Sequence, residues 1–516
     1  MTGGRNIVMD PPVRQDGIGS DEEFRQHPIK VVEEVFTVTT LAFFTILILP
    51  VFISETESGI ANYAVPISAG IFLAIVASGL WVSYWRWRNT VIRFKETEVT
   101  VFRDTVFKRE VRIAYTKIAS TNVNRGIINR LTGTSKLMIN INSSVNAIVP
   151  ELTLTFDAYL TDRIRKDLAT KMQNTEFVTD SEMPSLLRVT DKDIIIHSLL
   201  SQPTASSIFG IMMFLTAVSE IILYSESSVM GITALLMFLM TYLMPVVTMM
   251  VHYYNYRIYK SGDTIYISHG LIRTYNKSFK ITRINAVRLR SPLIPRLFGR
   301  YMIDAEVVGL VAGDEGSNPN TAPLLCPMKD KETIENMLNI LVPDFVSDDE
   351  KILQPKEAKI PIFARAAAYS AVTAAIMYVI YDSIQSFYVQ SGIAPGNLSL
   401  WFAAITVLIA IGFFVNGIWS LRVVTFGKSG EVFTFVTGTV DRKEIMVKYD
   451  KVQIATTSEG PLSKPFGLAR ENVNLLSSLG SQNIGSGYFR SDDMKGISEE
   501  TIARINDRRY DYRKYL

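Results

Sequence analysis

The stretch from Ser58 to Trp85 holds no Asp, Glu, Lys or Arg, and it is one of six long apolar stretches in the chain. A helix of about 20 apolar residues crosses the hydrocarbon core of a bilayer, so this feature limits the fold more than any motif does. The others are Val35 to Ile53, Ile208 to Tyr224, Ser227 to Tyr256, Ala366 to Tyr381 and Leu398 to Leu421. The third carries one acid, Glu220, and the fifth is bounded by Arg365 and Asp382. These two are short and have to recruit neighbours such as Ile362 and Phe363. Together the six predict transmembrane helices arranged as three hairpins, with Pro50, Pro66 and Pro245 marking kinks.

The flanks give the orientation. The tips Ser-Glu-Thr-Glu-Ser-Gly and Ser-Glu-Ser-Ser, and the segment from Asp382 to Asn397, contain no Lys or Arg. The opposite flanks carry Arg25 and Lys30, Arg86, Arg88 and Arg93, Arg188 and Lys192, Arg257 and Lys260, Lys356 and Lys359, and Arg422 and Lys428. The positive-inside rule then puts both termini and all large polar segments in the cytoplasm of a cell-membrane protein. All five tryptophans fall at predicted membrane boundaries, where one end of an indole is apolar and the other wants a hydrogen bond. The first 34 residues are polar and of mixed charge, and do not read as a cleavable signal peptide.

The expected boundaries are a polar N-terminal segment at 1–34, hairpins at 35–85, 194–256 and 361–421, and polar modules at 86–193, 257–360 and 422–516. The modules repeat one another. Each opens with strand-like alternation (Val99 and Val101, Ile265 and Ile267, Phe433 and Phe435) and then a turn residue (Asp104, Gly270, Gly438). Thirteen residues on stands a basic residue before an aliphatic one: Lys117, Arg283 and Lys451. Thirteen further stand Arg130, Arg296 and Lys464, and three further Gly133, Gly299 and Gly467. The first basic positions lie 166 and 168 residues apart. Four offsets held in three copies mark a true repeat. Helical patterns at Asp157 to Met172, Lys329 to Leu341 and Ser498 to Ile505 close the modules. The fold class is therefore an α+β membrane protein of three hairpins, each followed by a small antiparallel β module and a helix. In the third copy Glu459 replaces the basic residue of Arg125 and Arg290, and a Ser- and Gly-rich stretch, Leu476 to Gly487, replaces the later strands.

Paired membrane helices followed by a strand-rich module with these basic and glycine positions resemble the bacterial pleckstrin-homology-like (YdbS/YdbT-like) membrane protein family, in its longer three-module form. The resemblance covers nearly the whole chain. It implies a split-barrel, PH-like fold in each module and a place in the cell membrane. It also implies a role in envelope stress or resistance to membrane-active peptides, and it implies no reaction.

Composition agrees with a binding protein. Apolar residues make up 48% of the 516 and charged residues 20%, and the net charge of +3 does not suit a nucleic-acid binder. A single cysteine, Cys326, excludes an internal disulfide and a cysteine-based zinc cluster. The four histidines are scattered, and no P-loop, zinc-protease or dinucleotide motif occurs. No enzyme, cofactor or metal is expected. The expected partners are membrane lipids, further copies of the chain or other proteins. Lys117, Arg130, Arg283, Arg296, Lys451 and Lys464 are the candidates for contact with lipid headgroups or an acidic partner; the alternative is that they hold each module together. Glu220 is the one acid inside a predicted span, four residues from the outer loop, where it can snorkel. A transporter or lipid-handling channel built on the six helices is the second functional class, and it would require polar faces sharing a cavity.

Overall fold

The computed structural model describes residues 22–54, 64–141, 152–173, 185–187, 189–223, 229–308, 322–346, 351–390, 397–477 and 480–507. The chain divides into two compact units. The first is 1–142, 150–183 and 273–277, and the second is 143–149, 184–272 and 278–516.

In the first unit a short strand, β1 (Glu23–Phe24), precedes helices α1 (Ile29–Ser54) and α2 (Ala64–Arg88), which pack side by side. Then come β2 (Thr90–Phe94), β3 (Glu98–Arg103), β4 (Arg109–Ala114), β5 (Ile118–Arg125), the short helix α3 (Ile127–Leu131), β6 (Thr134–Ile141), β7 (Leu152–Asp157) and α4 (Ala158–Gln173). Strands β1 to β4 form one antiparallel sheet with β4 at its edge, and β5, β6 and β7 pair antiparallel in sequence order. Ile92, Val99, Ile113, Val123, Leu137, Ile139, Leu154, Phe156, Ile164 and Leu168 build one core between the strands and α4. Their alternation along the strands is the reason the strands form: every second β-branched or aromatic side chain leaves water.

Of the N-terminal polar segment, residues 22–34 are described, and they join the first unit. Phe24 packs edge-on against Phe94 and Phe156, and Trp87 Nε1 donates to the Gln26 carbonyl at 2.7 Å.

The second unit opens with α5 (Asp191–Leu200), whose start is fixed by a capping box between Thr190 and Asp193. Next are α6 (Thr204–Leu223), α7 (Val229–Phe238), a π turn at Leu239–Leu243, and α8 (Met244–Tyr253). Pro245 has no N–H to give back along the helix. The ladder shifts to the wider spacing just before it, with the Met244 N–H on the Leu239 carbonyl.

The second module follows as β8 (Arg257–Ser261), β9 (Thr264–His269), β10 (Thr274–Lys280), β11 (Ile284–Ser291), α9 (Leu293–Leu297), β12 (Arg300–Val307), β13 (Leu324–Asp330) and α10 (Lys331–Leu341). After β14 (Ile352–Leu353) come the paired helices α11 (Lys359–Gln390) and α12 (Leu398–Val423). The third module is β15 (Thr425–Lys428), β16 (Val432–Thr437), β17 (Arg442–Lys448), β18 (Val452–Ser458), β19 (Leu468–Ser477), β20 (Gly480–Gly485), β21 (Phe489–Arg490) and α13 (Ser491–Asn506).

Among the described residues, four helical segments are long and apolar enough to cross a membrane: Val65–Arg88, Met230–Tyr253, Lys356–Gln390 and Leu398–Val423. A fifth counts if α5 and α6, bent by 88°, form one broken span. The first expected span is helical through Ser54, though side chains 44–54 lie outside the described residues. The fifth expected stretch is too short in the sequence reading: α11 continues through Asp382 to Gln390.

The third module also corrects the sequence reading. Within the Ser- and Gly-rich stretch, Gly480–Gly485 is a strand paired along β19, so later strands are present. Its closing helix begins at Ser491, seven residues before the expected start.

The largest difference lies between modules. Strands β13-β12-β11-β17-β16-β15-β14 form one continuous sheet, with β11 antiparallel to β17 from Ala286↔Val447 to Ser291↔Arg442. The second half of module two and the first half of module three therefore share a sheet, and they share cores. Val432 and Met446 lie in the core of module two, and Ala286 lies in the core of module three. The modules are not self-contained β units.

Candidate functional site

Each helix pair is stitched to its module at the base. In the first unit β1 pairs with β2, and in the second unit β14 pairs with β15, so a strand before a helix pair meets the strand after it. Before α5, the Leu186 N–H donates to the Ile258 carbonyl in the same way, at 2.9 Å. A glutamine helps twice. Gln26 Oε1 accepts from the Thr155 N–H, and Gln354 Oε1 accepts from the Tyr488 N–H at 2.9 Å while its amide donates to the Ser420 carbonyl.

This stitching encloses a cavity of about 230 Å³ in the first unit. Its charged lining is four cations, Lys30 and Arg86 at the helix ends and Arg103 and Arg109 on β3 and β4, with one acid, Glu34. None of the four cations is ion-paired among the described residues. Lys30 and Glu34 stand one turn apart on α1, and Arg86 lies in the last turn of α2, where the helix dipole favours a cation. Trp87 lines the same space. Such a pocket can take one phosphate-bearing group in a fork of guanidinium donors. The flanking-charge rule had already used Lys30 and Arg86 for topology, and nothing local in the sequence joined them to Arg103 and Arg109.

The six repeat cations do not converge on one place. Lys117, Arg283 and Lys451 each end a 3₁₀ turn that leads into β5, β11 and β18. Lys117 is exposed, Arg283 is partly buried with its pKa lowered by that burial, and Lys451 contacts Asp450 at 3.1 Å. Arg130 donates to the Thr274 hydroxyl, within the first unit. Arg296 donates to the Thr439 carbonyl at 3.1 Å, reaching from module two to the start of β17. Lys464 is exposed and opens a 3₁₀ turn. Gly133, Gly299 and Gly467 have φ of 67°, 64° and 63°, the left-handed conformation that a glycine adopts without penalty. Glu220 is partly buried near the end of α6 and has a partner.

A second charged feature is buried. Asp304 and Glu306 on β12 are fully buried and hold Arg288, while Arg290 also contacts Asp304; Arg288 Nε lies 2.9 Å from Asp304. Lys443 on β17, opposite Arg290, has its pKa lowered by burial and then by Arg290 and Arg288. The equivalent positions in module one are neutral: Asn122, Asn124 and Asn140. The equivalence is fixed by a bulge that all three modules carry one residue into β5, β11 and β18, which aligns Ser120↔Asn140 with Ala286↔Glu306 and Ile454↔Asn474.

Apolar helix pairs alternating with antiparallel β modules, each module closed by a helix, define a membrane protein with repeated small β domains. The chain belongs to the bacterial PH domain family, whose sequence pattern matches twice, at residues 41–168 and 208–341. Each match begins inside a helix pair, in α1 or α6, and ends in the closing helix, α4 or α10. The chain is similar to the UPF0699 transmembrane protein YdbT of Bacillus subtilis (strain 168), 20% identical over 365 residues, covering 65% of this chain and 73% of that one. No solved structure matches. Neither match is to a family of enzymes.

Proposed function

We propose that this protein is a six-span scaffold with both termini in the cytoplasm, whose PH-like modules bind anionic lipid headgroups at the inner leaflet. The carrying observation is the first-unit cavity, with one acid and four cations that are not ion-paired among the described residues, at the base of α1 and α2. Each Lys or Arg near an anionic surface contributes about 1 kcal/mol, and a partly enclosed guanidinium pair adds geometry to that attraction. The basic flanks and cation-free tips support the orientation. A part in resistance to membrane-active peptides fits a protein that holds anionic lipids in place.

The test is the melting temperature of purified protein with short-chain phosphatidylglycerol or phosphatidylcholine, at low and high salt. Phosphatidylglycerol raises the Tm of the wild type at low salt, and high salt reduces the gain. The variant Lys30→Gln/Arg86→Gln/Arg103→Gln weakens that binding by roughly two orders of magnitude. Lys117→Gln/Lys464→Gln leaves it unchanged. An equal gain with phosphatidylcholine, or an unaltered gain in the triple variant, refutes headgroup recognition at this cavity.

A further inference from the structure

The sheet shared by modules two and three uses two edges, the second-half strand β11 and the first-half strand β17. The repeat supplies each edge once more with no strand partner among the described residues. Strand β4, equivalent to β17, ends the sheet β1-β2-β3-β4, and strand β18, equivalent to β11, ends the sheet of β18, β19 and β20. Their burial differs accordingly. Ala286 on β11 is fully buried, whereas Ile454, at the same place after the bulge on β18, is 56% exposed. At equivalent places, Arg112 on β4 is exposed where Met446 on β17 is buried, and Val111 is half-buried where Ile445 is buried.

We propose that β18 of one copy of this chain adds to β4 of a second copy, forming a sheet of the β11·β17 kind and linking copies head to tail. An open strand edge is a template for another strand, and here the complementary template is encoded in the same chain. Transferring the β11·β17 register through the repeat offsets pairs Ile454 with Ile113, Ala455 with Arg112, Thr457 with Glu110 and Glu459 with Lys108. Charge supports this register. Where the β11·β17 pairing sets Ser291 opposite Arg442, the new pairing sets Glu459 opposite Lys108. Two different edges make the contact heterologous, so it closes into a ring or continues as a row in the plane of the membrane. The contact shares strand β4 with the headgroup cavity, which Arg109 and Val111 line, but it is argued from the repeat and survives if that reading fails.

Disulfide trapping tests it in native membranes. Cys326, the one native cysteine, is fully buried and its thiol is pushed up to about 12 by that burial, so it does not interfere. Two differently tagged chains are co-expressed, one Ala455→Cys and the other Arg112→Cys, and oxidised. Directly opposed residues on antiparallel strands lie close enough for a disulfide. The expected result is a doubly tagged cross-linked species at least tenfold above that from either variant alone, with little from Ala455→Cys plus Val111→Cys, whose side chains point to opposite faces. Glu459→Cys with Lys108→Cys, both at exposed positions, gives the same result if Arg112→Cys does not fold. Absence of the mixed species from both pairs with the melting temperature retained overturns the proposal. So does a link formed only within one chain when both cysteines are placed in it.

Discussion

Strands β17 and β4 occupy the same place in two modules and meet different fates. Strand β17 lies between β16 and β11, with Ile445, Met446 and Val447 buried, while β4 has β3 on one side and, among the described residues, no strand on the other. The same holds for β11 against β18. A half-module at this junction is thus an incomplete sheet, and a neighbouring half-module completes it. Arg296, which reaches the Thr439 carbonyl, is a further tie across the junction.

The comparison sharpens most at the buried charges beside the junction. Asp304→Ala leaves Arg288 and Arg290 without their shared acid and costs about 3–5 kcal/mol. Asn140→Ala in module one loses a 2.8 Å bond to Ser120 and costs about 1 kcal/mol. Equal losses in denaturant melts would mean that the ionic cluster of module two adds no dependence beyond that of a neutral pair.

Glycines come next. A Cβ on Gly438, where φ is 76°, would stand 2.1 Å from the Asp441 carbonyl oxygen, so Gly438→Ala forces the turn before β17 to rebuild. A Cβ on Gly467, with φ of 63°, meets nothing within 4 Å, so Gly467→Ala costs only the left-handed backbone penalty of about 1–2 kcal/mol. The prediction is a larger Tm loss for the first variant, and a reversed order would place the junction turn outside the stable structure.

Burial holds the Glu471 carboxyl above the usual range, with the 2.6 Å bond from Thr457 pulling the other way. The folded state therefore favours the protonated acid. Its unfavourable contribution is absent below the ordinary value of 4.5 and grows as pH rises through the raised folded value. Glu471→Gln raises the Tm at pH 7 and leaves it unchanged below about pH 4. A gain of the same size at both pH values would assign the effect to packing.

The smallest effect concerns a charge reversal. Arg125 meets Asp162 at 3.1 Å in module one, and Glu459 meets Lys495 at 3.4 Å in module three. Asp162 and Lys495 are each the fifth residue of the closing helix, so the pair is kept with its signs exchanged. Glu459→Arg/Lys495→Asp restores most of the loss caused by Glu459→Arg, about 0.5 kcal/mol. A double variant no better than the single one would show that the contact is incidental.

The helix pairs, the repeat offsets and the closing helices were legible because each is a local periodicity of 3.6 or 2, or a fixed spacing. The junction was not, because β11 and β17 are joined across 150 residues, and a strand that gains a neighbour reads like one that does not. The Gly480–Gly485 strand lacks apolar alternation and is set by pairing with β19. Strand β1 is two residues long, too short for any period, and is fixed by Phe24 and Gln26. The cavity escaped for a similar reason. Lys30, Arg86, Arg103 and Arg109 come from four elements; the first two read as flanking charges, and the other two carry no local signal.

Hydrogen exchange resolved to single amides, on protein in nanodiscs that hold one copy each, tests most directly whether neighbouring half-modules complete each other. Residues 286–291 and 442–447 are predicted to exchange slowly at every amide, as in the middle of a sheet. In β4 and β18 about half of the amides, those turned away from β3 and β19, are predicted to exchange fast. Fast alternate exchange in β17, matching that of β4, would contradict the shared sheet and return each module to a self-contained fold.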